Sequence, residues 1–189
     1  MDIIKKLQED GDLAGTLCDI CDVNILPEFI LPQDERGHLA YNIHGKTFAK
    51  EGTGSEYILL EDGSVGFWGS EGEGGRIADT LYDFFVLMVN CPFWREYVSS
   101  GPYQDMENLH EFAEELYEEH TEMAQEDMEI DLREAQQKLA GGLGITLDDD
   151  ISKILMKFYH CANREPRLTA TYTEDDGSKH SNSGSLFED

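Results

Sequence analysis

The chain has 189 residues and a formal net charge of −26, from 40 acidic against 14 basic side chains. That length allows one sizeable core in one or two domains, and that field repels nucleic acid and anionic lipid while drawing basic proteins into fast, salt-sensitive association. The opening MDIIKKLQEDGDL lacks the apolar core of a signal peptide, FFVLMV is far too short to span a bilayer, and four cysteines make no disulfide scaffold, so a reducing cytoplasm is the expected compartment.

Along the chain, Leu7, Leu13, Leu17 and Ile20 predict one short opening helix, weakened by Gly11 and Gly15. Pro27 and Pro32 frame LPEFILP, which reads as a turning segment. Strands are expected at residues 39–43 and 46–49, with Gly45-Lys46 as the turn between them. The clearest pair is EYILL (56–60) and SVGFW (64–68). Glu61-Asp62-Gly63 joins them, and Asp-Gly here signals a type I′ hairpin whose two central positions take positive φ.

SEGEGGR (70–76) then reads as a tight strand-to-helix corner. The helix that follows has Thr80 and Asp83 as a capping box and Ile77, Leu81, Phe84, Phe85, Met88 and Val89 on one face. Pro92 stops it, leaving Phe93, Trp94 and Tyr97 as an aromatic cluster. A long helical stretch is predicted over residues 106–139, with apolar Leu109, Phe112, Leu116, Met123, Met128, Leu132 and Ala135. The opposite side carries Glu111, Glu114, Glu115, Glu118, Glu119, Glu122, Glu126 and Glu129. Gly141-Gly142 and Gly144 end it. Thr146 and Asp149 would cap a further helix, with Ile151, Ile154, Leu155, Phe158 and Tyr159 facing the core. Alternation makes residues 168–173 a strand, with Leu168, Ala170 and Tyr172 on one side. GSKHSNSG (177–184) reads as a flexible turn or tail and residues 185–187 as a returning strand. No internal repeat is present.

Chemistry-bearing motifs are weak. A phosphate loop in SEGEGGR would place Glu71 and Glu73 beside the anion, and no Lys or Ser/Thr follows as in a P-loop. Cys18-Asp-Ile-Cys21 is a lone C-x-x-C. A composite site with Cys91 and His160 has no spacing to support it, and buried thiols, Cys161 included, are the simpler reading. His110, Glu114 and Glu118 stand one helical turn apart without a matching second helix. Asp148-Asp149-Asp150 lacks an EF-hand pattern and suits a helix N-terminus. No nucleophile elbow, H-E-x-x-H or kinase set occurs, so no catalytic, cofactor-binding or metal residue is expected.

The central stretch FAKEGTGSEYILLEDGSVGFWGSE, followed by GRIADTLYDFF, resembles the SUKH superfamily of bacterial toxin-immunity proteins and fungal cell-wall-synthesis regulators. The resemblance rests on Glu56–Leu60, Asp62-Gly63, Val65–Trp68, Glu71, Ala78, Thr80 and Phe84, over roughly residues 25 to 98. Pro27 and Phe29 match an early Leu-Pro segment, while the usual Asn-Gly after it is not recognisable.

The resemblance implies an α+β fold with a central mixed, mostly antiparallel sheet and flanking helices. Residues 1–100 would form this core, and residues 101–189 an acidic helical extension with a C-terminal strand packed on the same domain. It implies a non-enzymatic immunity protein that binds and neutralises a cognate toxin, such as a nuclease; an intracellular adaptor is the alternative. Basic partners then point to Glu111, Glu115, Glu118, Glu119, Glu122 and Glu126, with Trp68, Glu71 and Glu73, as partner-binding residues. The partner's identity and the oligomeric state stay open.

Overall fold

The computed structural model describes residues 2–32, 39–182 and 186–187. The chain opens with two helices where the apolar spacing predicts one. Asp2 accepts from the Lys5 N–H at 3.3 Å and caps α1 (Ile3–Glu9), and Asp10 accepts from the Leu13 N–H at 3.2 Å and caps α2 (Gly11–Cys21). Gly11 therefore sits at a helix start, where it costs little. Asp22, in the left-handed region at φ 49°, ends α2 and turns the chain into β1 (Asn24–Ile30).

β1 contains Pro27, so LPEFILP is largely a strand and not a turn. Two features make room for the proline. β1 is the edge of its sheet, and its register against β3 (Gly45–Lys50) shifts between Ile25 and Ile30, so the missing N–H breaks no regular ladder. Gly45 belongs to β3 and is not part of a turn.

Five strands form one antiparallel sheet in the order β1-β3-β4-β5-β6, with β4 at Glu56–Leu60, β5 at Val65–Trp68 and β6 at Gly74–Ala78. Its hairpins close by one repeated device. Leu60 N–H donates to Ser64 O and Gly63 N–H to Leu60 O, and the same two bonds recur at residues 51–55 and 69–73. In each loop only the glycine has positive φ: Gly54 at 97°, Gly63 at 86°, Gly72 at 96°. This is a type I turn followed by a left-handed glycine, not the expected type I′ turn.

SEGEGGR is accordingly a hairpin turn leading into β6, and Ile77 lies on that strand, not on a helix. Gly74 has no room for a side chain, because a Cβ there would stand 2.8 Å from the Phe67 carbonyl.

Thr80 caps the helix as expected: Asp83 N–H donates to Thr80 Oγ1 at 3.0 Å, opening α3 (Leu81–Asn90), and the Thr80 hydroxyl donates to the Asp83 carboxylate at 2.7 Å. α3 lays Phe84 on the sheet, 5.3 Å from Phe48 and 5.2 Å from Tyr57 between ring centroids. Two 3-10 turns, Trp94–Tyr97 and Gly101–Gln104, then bury Trp94, Tyr97 and Tyr103.

The long helical stretch is two helices, α4 (Met106–Asp127) and α5 (Leu132–Leu143). Glu129 at φ 57° and a bond from Ile130 N–H to Ala124 O close α4, and Asp131 caps α5. Gly141 and Gly142 lie inside α5, and Gly144 at φ 68° is its cap. The Thr146/Asp149 box does not form. Asn90 instead holds that loop, accepting from Asp148 N–H at 2.8 Å, and Asp150 accepts from Ser152 N–H at the start of α6 (Ser152–Ala162).

A second antiparallel sheet, in the order β2-β7-β8, joins β2 (Leu39–Tyr41), β7 (Ala170–Thr173) and β8 (Lys179–Asn182). β8 replaces most of the expected flexible tail. Ser185, the start of the predicted returning strand, lies outside the described residues, while Phe187 is buried 5.0 Å from Phe158. The fold is thus α+β, as expected, and every pairing among the described residues is antiparallel, where the resemblance implies a mixed, mostly antiparallel sheet. One apolar cluster draws on residues from Ile3 to Phe187, and a smaller one around Trp68 and Leu168 lies by the second sheet.

Arg76, 2% exposed, ties the halves together. It donates to Asp62 at 2.6 Å, to Ser64 Oγ and to Pro166 O at 3.2 Å. Burial works to raise the Asp62 carboxyl, but bonds from Ser64 and the Arg76 guanidinium outweigh it and hold it at about 2. For the sheet, Gly74→Ala is expected to lower stability by about 1–3 kcal/mol through overpacking, read as a lower urea midpoint at unchanged slope.

Candidate functional site

α4 carries no Lys or Arg, and the sequence holds none between Arg95 and Arg133. Its inward side is narrow: Leu109, Ala113, His120 and Ala124 are buried. Glu111, Glu115, Glu118, Glu119, Glu122 and Glu126 are all exposed and fall within an arc of about 100° on the opposite side. None of the six is ion-paired among the described residues; the neighbouring Glu114 lies 3.5 Å from His110 of the same helix. Several basic side chains elsewhere are paired within the fold, as in Lys50–Glu56 at 3.0 Å, Lys138–Asp12 at 2.7 Å and Arg164–Asp79 at 2.8 Å.

Such a helix works against itself. Glutamates one turn apart repel by about 0.2–0.5 kcal/mol per pair, and acids in the last turns oppose the helix dipole. Packing holds it in place. His120 lies 4.8 Å from Phe93 and 5.5 Å from Tyr97, ring to ring. Tyr117 OH donates to Gln136 Oε1 at 2.7 Å, and Gln136, buried on α5, donates onward to Val89 O at 2.9 Å.

Beside the glutamate face runs a groove. One part, about 410 Å³, lies between α4, α5 and the loop before α6, and is lined by Tyr117, Glu114, Glu118, Arg133, Asp149 and Ile151. Across it His110 Nδ1 stands 3.3 Å from Asp150, and Arg133 Nη2 lies 3.3 Å from Asp149. A second part, about 420 Å³, adjoins it at Thr121 and includes Glu122, Glu126, Ile130 and Asp131. Sequence reading misses this groove, because its walls come from residues 40 positions apart, as His110 and Asp150 are.

The other expected partner-binding residues do not join this face. Trp68 is 7% exposed, packed edge-on against Tyr41 at 5.3 Å, and is no free anchor. Trp94 is buried too. Glu71 is exposed beside a separate cleft of about 500 Å³ that Trp68 also lines. Glu73 is turned inward: Arg95 Nη2 donates to it at 2.7 Å and Nη1 to Glu51 at 3.3 Å, with the guanidinium 5.2 Å over the Phe67 ring.

The cysteines are free thiols. Cys21 donates to Met88 O at 3.3 Å, and burial pushes both Cys21 and Cys91 far above the usual thiol range. Cys161 is pushed to about 12, by burial and then by Asp79, and Cys18 is raised as well, first by burial and then by Asp19 and Asp22. Among the described residues no group of three or more His, Cys, Asp or Glu is placed to hold a metal ion, and no helix is long and apolar enough to cross a membrane. The chain matches no protein-family model, no curated protein and no solved structure.

Two outcomes follow from how α4 is held. Replacing Glu115, Glu118, Glu119 and Glu122 by Gln is expected to raise the thermal midpoint by a few degrees at low salt, and less in high salt. His120 is held below its usual pKa, first by burial, with the Glu96 carboxylate working the other way. The unfolded chain therefore takes up the proton more readily. Stability should be full above about pH 6.5 and fall as pH drops toward the lowered folded value. His120→Leu should flatten that fall in urea titrations between pH 8 and pH 5. Asp62, at about 2, is titrated well below this window.

Proposed function

We propose that this protein acts by binding and not by catalysis: it is an immunity protein of the SUKH type that neutralises a cognate toxin by covering it. The observation that carries the reading is the α4 face, six exposed glutamates without a basic partner among the described residues. A nuclease toxin fits best, because a cleft that holds a phosphate backbone must be basic, and an acidic helix laid on it competes with the nucleic acid on the same charges. Self-repulsion along α4 is relieved when cations arrive, so complex formation gains what the free protein forgoes. Long-range attraction supplies the on-rate; Trp68 and Trp94, being buried, leave the short-range anchoring to other groups of this face.

Association with a candidate toxin, sought among the products of neighbouring genes, tests this directly. Replacing Glu115, Glu118, Glu119 and Glu122 by Gln should slow association by roughly tenfold at low ionic strength and flatten its salt dependence. Unchanged association kinetics, or failure of the two proteins to co-purify, would overturn the reading.

A further inference from the structure

Two concavities lie side by side along α4 and share Thr121 in their linings, and together they form one groove. Glu114, Glu118, Glu122 and Glu126 mark its α4 edge at steps of one helical turn, about 18 Å from first to last at 1.5 Å per residue. Asp148, Asp149 and Asp131 stand on the facing side. Between these rims, Tyr117, Ile130 and Ile151 are half-buried and offer apolar surface. The outward stripe of Glu111, Glu115 and Glu119 shares the exposed arc with Glu118, Glu122 and Glu126, but its three residues are not among those that line these two concavities. The chain itself supplies one example of what the rim accepts: the Arg133 guanidinium reaches Asp149 at 3.3 Å, beside Asp148 and Asp150.

We propose that this groove seats a basic amphipathic helix of the partner, its apolar face on Tyr117, Ile130 and Ile151 and its Lys or Arg side chains on the two acidic rims. Charge complementarity and the apolar floor argue for this occupant, and a helix keeps step with the rim where an extended strand, repeating at about 6.6–6.8 Å on one face, falls out of step along its length. Cations one turn apart on a helix repeat at about 6 Å, the spacing of the α4 rim, and an apolar stripe between them matches the floor. A flexible polycation would meet the rims and leave the floor unused. This inference rests on the binding reading given above and names the part of the acidic surface that makes close contact.

The test compares two variants of equal charge. E118Q/E122Q/E126Q alters the groove rim, and E111Q/E115Q/E119Q alters the outward stripe; both remove three negative charges, so long-range attraction changes equally. The probe is a fluorescein-labelled 18-residue helical peptide with Lys and Leu on opposite faces, titrated by anisotropy in low salt, beside a scrambled peptide of the same composition. The rim variant should lose about tenfold in affinity and the stripe variant less than twofold, and wild type should prefer the amphipathic peptide to the scrambled one. Equal losses from both variants, or equal binding of the two peptides, would overturn the groove while leaving attraction by charge intact. No loss from either variant would overturn both. Circular dichroism of each variant confirms that α4 is intact, since the replaced side chains are exposed and make no contact that the fold needs.

Discussion

Repulsion along α4 is the constraint to which much of this structure answers. A helix whose outward face carries six glutamates and no cation gains little stability of its own, so its place depends on what its other face buries. Leu109, Ala113 and Ala124 are shut into the core, and His120 sits against Phe93 and Tyr97. The chain Tyr117 to Gln136 to the Val89 carbonyl then links α4 through α5 to the end of α3. α3 in turn is fixed to the sheet by Phe84, in contact with Phe48 and Tyr57. The acidic surface is thus presented by a rigid path that begins at the middle of the five-stranded sheet.

The basic residues show the same division of labour. Arg76 is buried, bonded to Asp62, Ser64 and the Pro166 carbonyl, and it holds the segment before β7 against the β4–β5 turn. Only the arginine of this pair is buried, Asp62 being 40% exposed, so desolvation of the guanidinium offsets much of the attraction, and removing Asp62 would strand a buried charge. Its clearer role is geometric. With Asn42, which donates to Arg167 O and accepts from Thr169 N–H, it sets where β7 meets β2. Arg95 does similar work at the other end of the sheet, spanning Glu51 and Glu73 above Phe67.

What could be read from sequence divides along physical lines. The helix capped at Thr80, the strands EYILL and VGFW, and the acidic outward side of α4 are local patterns, each complete within one element, and they are found where the residues place them. β6 is misread because Gly74-Gly-Arg-Ile-Ala78 has poor strand propensity and is buried throughout, so its apolar end merges with the helix pattern that follows; pairing with β5 decides its state. β8 is misread for the converse reason. Its residues are polar, and backbone pairing with β7 defines it. Pro27 argues against a strand only where a ladder needs its N–H, and at a bulged edge none does. The groove beside α4 was illegible, because a concavity made by two helices and a loop leaves no periodic mark on any one of them.

The distribution of charge bears on why the chain is so acidic. A surface built only to keep a protein dispersed does well with both signs interspersed, which lowers local repulsion while leaving a net charge. Here the basic side chains near α4 stand at its margins. Arg95 is drawn into the Glu51–Glu73 pair and Arg133 to Asp149, and the stretch between those two arginines has none. Interspersed lysines at positions such as 115 or 122 would stabilise α4 through one-turn pairs at no cost to packing, since both sites are exposed. A helix that forgoes this stabilisation along its whole outward length carries a self-repulsion that only packing, or a counter-charge from outside the chain, can offset.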